Sequence, residues 1–401
     1  MRLPPTPGTP LGLYLHIPFC RKRCRFCYFK VYTDKNSADI RRYVEALQKE
    51  LSLYADKPFA GGRPVDFIYF GGGTPSYLSV KQLQELTDRL KQFRSWDETR
   101  EVAFECEPGT LSGEKLNVIR EIGVTRLSLG VENFNDQILE LNGRAHRSPE
   151  IFKTYEQART LGFPQINIDL ISGMVGETEG NWQACVEKVL ELAPDIITIY
   201  QMEVPFNTII HQEMEHEGRT VAPVADWITK RRWVQEAFER LESAGYTISS
   251  AYSAVKKGIN AEFLYRDYLW EGADLLGLGV ASFSHINGTH FQNEKDFVPY
   301  LEAVEEGRFP IRRALALSEE EKLIREMILQ LKRGSVRRQY FTNKFHIDIL
   351  DRFSVPLRNL ERENYLEIRE DSVQLTRRGL LEVDSLLPNF YLPQHRNARY
   401  T

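Results

Sequence analysis

Three cysteines, Cys20, Cys24 and Cys27, fall in the stretch HIPFCRKRCRFCYF with the spacing C-x3-C-x2-C, and no fourth cysteine follows nearby. Thiolates at this density suit zinc or an iron-sulfur cluster. A structural zinc ion is closed by four protein ligands, whereas a cubane held by three cysteines leaves one iron open to a substrate or cosubstrate. The alternative, a zinc knuckle, would need His16 as its fourth ligand, and His16 alone does not easily complete it from that position. Phe26, between the last two cysteines, offers an aromatic face beside the vacancy.

The glycine run FGGGTPS, Phe70 to Ser76, follows the strand-like VDFIYF. Gly71, Gly72, Gly73 and Thr74 can bring bare backbone close to a ligand. A phosphate cradle is the competing reading, but the run lacks the Gly-Lys-Ser/Thr ending of a phosphate loop. Glu105 in VAFECEP lies at a strand end, where it can accept a hydrogen bond from an amino group or anchor a cation. Glu132 in LGVENFND, Arg144 in LNGRAH and Asp169 in INIDLISG recur at or just after later strands. Singly, each reads more readily as half of a structural salt bridge; together on one face they match a ligand with ribose hydroxyls and a carboxylate.

Late in the chain, Gly277 to Gly279 form a GLG turn followed by Ser282, Phe283, Ser284 and His285. Such a loop can present backbone amides to an anion or nucleoside. His285 and His290 read as a proton-donor pair or as loop-closing residues. YQMEVPFN, Tyr200 to Asn207, with Glu203 at its strand end, is expected to line a substrate cavity. Cys185, inside a helical pattern, reads as a small buried hydrophobe, and Cys106, next to Glu105 on a strand, must point the other way.

The elements that position these groups follow from hydrophobic periodicity. LYLHI, VDFIYF, EVAFE, TRLSLGV, QINIDL, DIITIY and YTISS read as strands alternating with helices, the signature of repeated βα units on a parallel sheet. Ile40, Tyr43, Val44, Leu47 and Leu51 share one helical face. Ser79 with Gln82 forms a capping-box pattern, and Gly162 and Gly245 stand where helix C-caps are expected. The polar chemistry collects at the C-terminal ends of the early strands, the catalytic face of such barrels. The expected fold is α/β, a partial barrel of parallel strands with outer helices over residues 1–311. A C-terminal winged-helix-like α+β unit follows over 312–401, with LSEEEKLIREMILQLKRG and SVRRQYFTNKF as helices and YLEI and SVQL as a two-stranded wing.

At 401 residues and 42% hydrophobic content the chain can bury a large core. A net charge of -4 gives no global attraction to nucleic acid or anionic lipid. Five cysteines, three of them in one loop, make no secreted disulfide framework and call for a reducing compartment, so a cytoplasmic protein is expected. MRLPPTPGTPLG breaks the apolar stretch that a signal peptide requires, and no long apolar run suggests a membrane span.

The cysteine loop, Phe26 and the glycine run together read as a radical S-adenosylmethionine (SAM) site. It resembles the oxygen-independent coproporphyrinogen III oxidase group of radical SAM proteins, the HemN/HemW-type family, which includes heme chaperones and some radical methylases and cyclopropanases. LYLHIPFCRKRC, GGGTPS, GVENFND, NIDLISG and GLGVASFS carry the resemblance. It implies that Cys20, Cys24 and Cys27 ligate a [4Fe-4S] cluster and that Phe26 packs against adenine. Tyr14, Gly72, Gly73 and Thr74 would hold the methionine part, with Glu105 supporting the methionine end, Arg144 would hold its carboxylate, and Asp169 and Glu132 the ribose. Gly277, Gly279 and Phe283 match the region that takes a second SAM in the oxidases and related methylases.

The implied chemistry is reductive cleavage of SAM to a 5'-deoxyadenosyl radical, with oxidative decarboxylation of coproporphyrinogen III as the leading activity. C-methylation or cyclopropanation with a second SAM, and heme chaperoning, are the alternatives. The implied partners are a small-molecule substrate, a tetrapyrrole in the leading reading, and an electron donor such as flavodoxin or ferredoxin. Arg21, Lys22, Arg23 and Arg25, or Lys256, Lys257 and Arg266, are the cations expected to meet substrate carboxylates. Phe29 stands where the oxidases carry a further cysteine, and GINAEFLYRDYLW lacks the histidine of the chaperone motif.

Overall fold

The structure, a computed structural model, describes residues 7–60, 63–93, 96, 98–218, 220 and 222–396. The first residues of the segment weighed for targeting lie outside this set. Strands β1 (Leu11–Ile17), β2 (Phe67–Gly72), β3 (Glu101–Cys106), β4 (Arg126–Glu132), β5 (Gln165–Ser172) and β6 (Ile196–Gln201) pair in chain order and run parallel. Beyond β6 lies the hairpin β7 (Tyr246–Ile248) and β8 (Ser253–Lys256), with β8 antiparallel to β6. On the other side β9 (Asp274–Leu278) runs parallel to β1 and leads into the antiparallel β10 (Phe283–Ile286), β11 (Thr289–Asn293) and β12 (Ile311–Ala316). The sheet therefore ends at β7 and β12 instead of closing, the partial barrel that the sequence implies.

Side chains alternate across each strand. Leu11, Leu13, Leu15 and Ile17 of β1, Ile68 and Phe70 of β2, and Leu127, Leu129 and Val131 of β4 are buried outward against helices. The helix Ser37–Ala55 supplies Ile40, Tyr43, Val44, Leu47 and Leu51, all buried as their spacing predicts, each contributing roughly 2 kcal/mol relative to exposure. Asn36 caps its N-terminus and Asp39 answers at the Asn36 amide. Ser79 and Gln82 exchange the expected reciprocal bonds, at 2.9 and 3.2 Å. Gly162 and Gly245 take φ of +67° and +89° after the helices Ser148–Thr160 and Trp227–Ser243. Inward, Tyr69, Glu105, Ser128, Asn167, Asp169 and Thr198 contact one another, so the barrel interior is polar.

Three expectations are corrected. YTISS supplies no parallel strand: no crossover helix separates it from SAVK, and two strands joined by a tight turn must be antiparallel. The GLG segment is not a free loop, because Gly277 lies within β9. SVRR opens with a strand, β13 (Ser335–Arg337), so the C-terminal sheet has three strands, ordered β13, β15 (Ser372–Leu375), β14 (Leu366–Ile368).

Strand β12 carries the large sheet to Ala316, past the boundary placed after residue 311. The helix Glu319–Leu331 then starts a second core of Leu323, Met327, Leu331, Val336, Phe341 and Leu357. This unit is tied to two separate parts of the large sheet. Ala251, in the β7–β8 turn, donates its amide to Lys332 O at 2.8 Å, while Arg333 pairs with Glu271, just before β9. Tyr340 also donates to Glu271 O at 2.7 Å. Among the described residues no helix is long and apolar enough to cross a membrane.

Candidate metal-cluster and ligand site

The cysteine loop leaves β1 and is tied down on every side. The bridge between Phe19 and Tyr32 closes it, with Cys20 N donating to Tyr32 O at 3.1 Å and Tyr32 N to Pro18 O at 2.8 Å. Arg25 N donates to Asn142 O at 3.0 Å, and Ile210 N to Arg25 O at 3.2 Å. Arg23 reaches the carbonyls of Cys27 and Asn207, and Arg25 pairs with Glu213. Arg21 is held by Glu107 through two bonds. These cations are thus engaged in holding the loop. Arg266 is likewise taken, by Asp267, Ser250 and Ser253.

The three thiols are free and partly accessible. Thr74 Oγ1 donates to Cys20 Sγ at 3.3 Å, and Arg144 Nη1 to Cys24 Sγ at 3.4 Å. Hydrogen bonds aimed at sulfur are what cluster-ligating thiolates accept. Burial pushes the Cys20 and Cys27 thiols up to about 12 and about 11, so a positive centre is needed to hold them as thiolates at neutral pH. Among the described residues no three His, Cys, Asp or Glu side chains are grouped to hold a single metal ion. Three thiols with donors aimed at two of them are one protein ligand short of a structural zinc site and are the donor set of a cluster that leaves one iron open. His16 is no fourth ligand: its Nδ1 lies 3.0 Å from the Tyr14 hydroxyl, its ring packs on Gly72, and burial lowers it to about 4, leaving it neutral.

Beside the loop, three carboxylates share the interior. Glu105 accepts from the Tyr69 hydroxyl at 2.6 Å and from Gly72 N at 3.2 Å. Asp169 accepts from Asn167 Nδ2 at 2.8 Å. Glu132 sits at a bulge in β4 with φ of +64°, a conformation costing a non-glycine residue about 1 kcal/mol or more, and its carboxylate lies 3.7 Å from Arg144. Burial raises all three, Glu105 and Glu132 to about 7, against the pull of the Tyr69 bond on one and of Arg144 on the other. An acidic, partly protonated wall of this kind suits a cationic ligand.

Arg144 also donates to Gly130 O and meets His146, while its Nε is buried without a partner. Burial works to lower its pKa, but Cys24 and Glu132 more than offset this and raise it. Tyr14 stacks on Tyr69 with centroids 6.0 Å apart. Phe26 packs with Ile138, Ile171, Met174 and Met202 into an apolar patch. Cys20, Cys24, Cys27, Tyr14, Thr74, Glu105, Glu132, Arg144 and Asp169 thus gather around one end of the barrel.

Other candidates behave differently. Gly72 and Gly73 are needed by the chain itself, since added Cβ atoms would meet the His16 ring at 2.6 Å and Pro18 C at 2.9 Å. In the GLG segment, Gly277 N is taken by Ser284, Gly279 N by Glu50 and Val280 N by the Tyr43 hydroxyl, so these amides are not presented to an anion. Phe283 stays exposed, stacked on His290 at 5.4 Å. Burial lowers His285 to about 3 and lowers His290 as well, which unsuits them as a proton-donor pair at neutral pH. Tyr200 is exposed at the mouth with Tyr252 at 6.1 Å. Cys106 and Cys185 are buried in the core as expected.

Glu107 was not anticipated, although the spacing of Glu105 and Glu107 already places both on one side of an extended chain. Burial would raise Glu107, but bonds from His146 and Arg21 bring it down to about 2.

The chain matches the family model of the radical SAM superfamily over residues 14–189 and that of the HemN C-terminal domain over residues 317–381. Heme chaperone HemW of Bacillus subtilis (strain 168) is 29% identical over 370 residues, spanning 92% of this chain and 96% of that protein. Oxygen-independent coproporphyrinogen III oxidase of Escherichia coli (strain K12) is 28% identical over 409 residues, spanning 98% of this chain and 88% of that protein. The solved structure of coproporphyrinogen III oxidase (HemN) from Escherichia coli, a radical SAM enzyme, superposes with a TM-score of 0.84 at 26% identity, over 96% of this chain and 91% of that one.

Proposed function

The chain belongs to the radical SAM superfamily, in its HemN/HemW-type branch, and from that premise we propose that it oxidatively decarboxylates a coproporphyrinogen III-like tetrapyrrole. A [4Fe-4S] cluster and SAM are the cofactors of this family. The observation that carries the reading is the convergence of three thiols in one anchored loop, two of them receiving hydrogen bonds from Thr74 and Arg144.

When bound, the pair supplies one-electron cleavage of the sulfonium and a 5'-deoxyadenosyl radical. Cys20, Cys24 and Cys27 hold the cluster. Tyr14 and Thr74 flank the methionine part, Glu105 takes its ammonium, Arg144 its carboxylate, and Asp169 and Glu132 take the ribose. Phe26 and its apolar patch take the adenine. The barrel wall orients a substrate C–H bond and keeps water from it. A flavodoxin- or ferredoxin-class protein is the proposed reductant and the cytoplasm the proposed location.

The test is anaerobic incubation of the reconstituted protein with SAM, dithionite and coproporphyrinogen III. A divinyl product with 5'-deoxyadenosine is expected. Abundant 5'-deoxyadenosine with no porphyrinogen conversion removes the oxidase reading, and S-adenosylhomocysteine beside it points to methyl transfer. The near-complete overlap with the chaperone relative favours a second reading, heme chaperoning, which predicts stable heme binding without SAM cleavage.

A further inference from the structure

Arg126 opens β4 and is fully buried, yet its Nε, Nη1 and Nη2 all lack a hydrogen-bond partner. No other buried guanidinium among the described residues is left with all three nitrogens unmet. Its nearest cover is the ring of Phe263, 3.9 Å from the guanidinium carbon to the ring centroid. Glu101 and Asp169 are within electrostatic reach but are spent elsewhere. Glu101 accepts the amides of Leu264 and Tyr265 at 3.1 and 2.9 Å, and Asp169 accepts from Asn167. Burial lowers the Arg126 pKa despite these carboxylates.

A buried guanidinium without acceptors is among the most unfavourable arrangements a protein interior can hold, and such groups are normally paired. What Arg126 faces suggests the missing acceptor. Phe263, Tyr265 and Tyr69 form a continuous aromatic wall, with Tyr69 and Tyr265 at 4.2 Å and Phe263 and Tyr265 at 6.1 Å, and each keeps part of its surface accessible. That wall leads to Glu105, beside the cysteine loop. Phe263 itself ends a stretch without helix or strand between β8 and the helix Leu264–Trp270.

We propose that Arg126 anchors a carboxylate of the substrate inside the barrel, uncovered when Phe263 leaves the face of the guanidinium. The assignment deepens the proposed function and rests on its carboxylate-bearing substrate. A planar fork of N–H donors matches a carboxylate bidentately, and the stacked Tyr69 and Tyr265 accommodate the hydrocarbon part. Of the cations that the sequence nominated, Arg21, Arg23, Arg25 and Arg266 are already engaged with protein partners, whereas the three guanidinium nitrogens of Arg126 are not.

The test uses the full-length, anaerobically reconstituted protein and three probes in calorimetric titrations: coproporphyrin III, its tetramethyl ester, and 3-phenylpropionate. For Arg126→Gln we expect at least tenfold weaker binding of both acids, unchanged binding of the ester and unchanged binding of SAM. Arg126→Lys, which keeps the charge without the fork, is expected in between, and it carries the comparison alone if the glutamine variant does not fold. Phe263→Ala, which removes the cover, is expected to bind 3-phenylpropionate more tightly. If the wild type binds 3-phenylpropionate through Arg126 but ignores coproporphyrin III, the anchor stands and the oxidase reading falls. Equal affinities of wild type and Arg126 variants for both acids, or no binding of either acid to the wild type, overturn the anchor.

Discussion

Arg21, in the cysteine loop, donates to Glu107 at the end of the third barrel strand through Nε at 3.0 Å and Nη2 at 2.8 Å. One carboxylate thereby fixes the loop that carries all three thiols to the rim of the sheet.

Glu107→Gln is expected to lose about 1–2 kcal/mol of stability, because two charge-assisted bonds weaken and Arg21 is partly screened by solvent. The carboxyl is held at about 2 against an ordinary 4.5, so its contribution is full above the ordinary value and is lost as pH falls through about 2. Urea unfolding of both proteins should show a gap that narrows on acidification. A gap independent of pH would contradict the assignment. The variant should also retain less iron on reconstitution.

Glu105 behaves in the opposite sense. Burial raises it from 4.5 to about 7, so the fold favours its protonated form, and the cofactor-free protein should lose stability as pH climbs through that interval. Glu105→Gln should flatten the decline by roughly 1 kcal/mol, discounted for its partial exposure. Calorimetric melting across that pH range reads the effect, and parallel curves for the two proteins would refute it.

Thr74→Val keeps shape and removes the hydrogen bond to Cys20 Sγ. Loss of a donor to a ligating sulfur leaves the cluster harder to reduce, so a more negative midpoint potential is expected in a titration followed by electron paramagnetic resonance. An unchanged potential would mean that the contact does not act on the cluster.

Gly279→Ala tests whether the GLG segment serves packing. At φ of +104° an added Cβ would fall 2.4 Å from the Tyr43 hydroxyl, and destabilisation of about 3 kcal/mol or more is expected without any ligand present. Retention of the wild-type unfolding midpoint would return this glycine to a ligand-contact role.

The local chemistry was legible where it depends on short spacing. The cysteine trio, the buried stripe of Ile40, Tyr43 and Leu47, and the Ser79–Gln82 box all rest on residues close in sequence, and the structure shows the stripe and the box as read. The antiparallel strands after Leu278 were readable but passed over: Asn287 and Gly288, at φ of +48° and +70°, form the two-residue turn that Asn-Gly favours between strands. Arg126 was not readable. In TRLSLGV it looks like an ordinary strand-end charge, and only the distant chain around Phe263 reveals that nothing answers it.

Lys332 and Arg333 are consecutive, and one receives Ala251 of the β7–β8 turn while the other grips Glu271 on the approach to β9. A single peptide unit thus works as a clasp between two segments of the large sheet that are distant in strand order. Any shift of the C-terminal unit would consequently move both segments together.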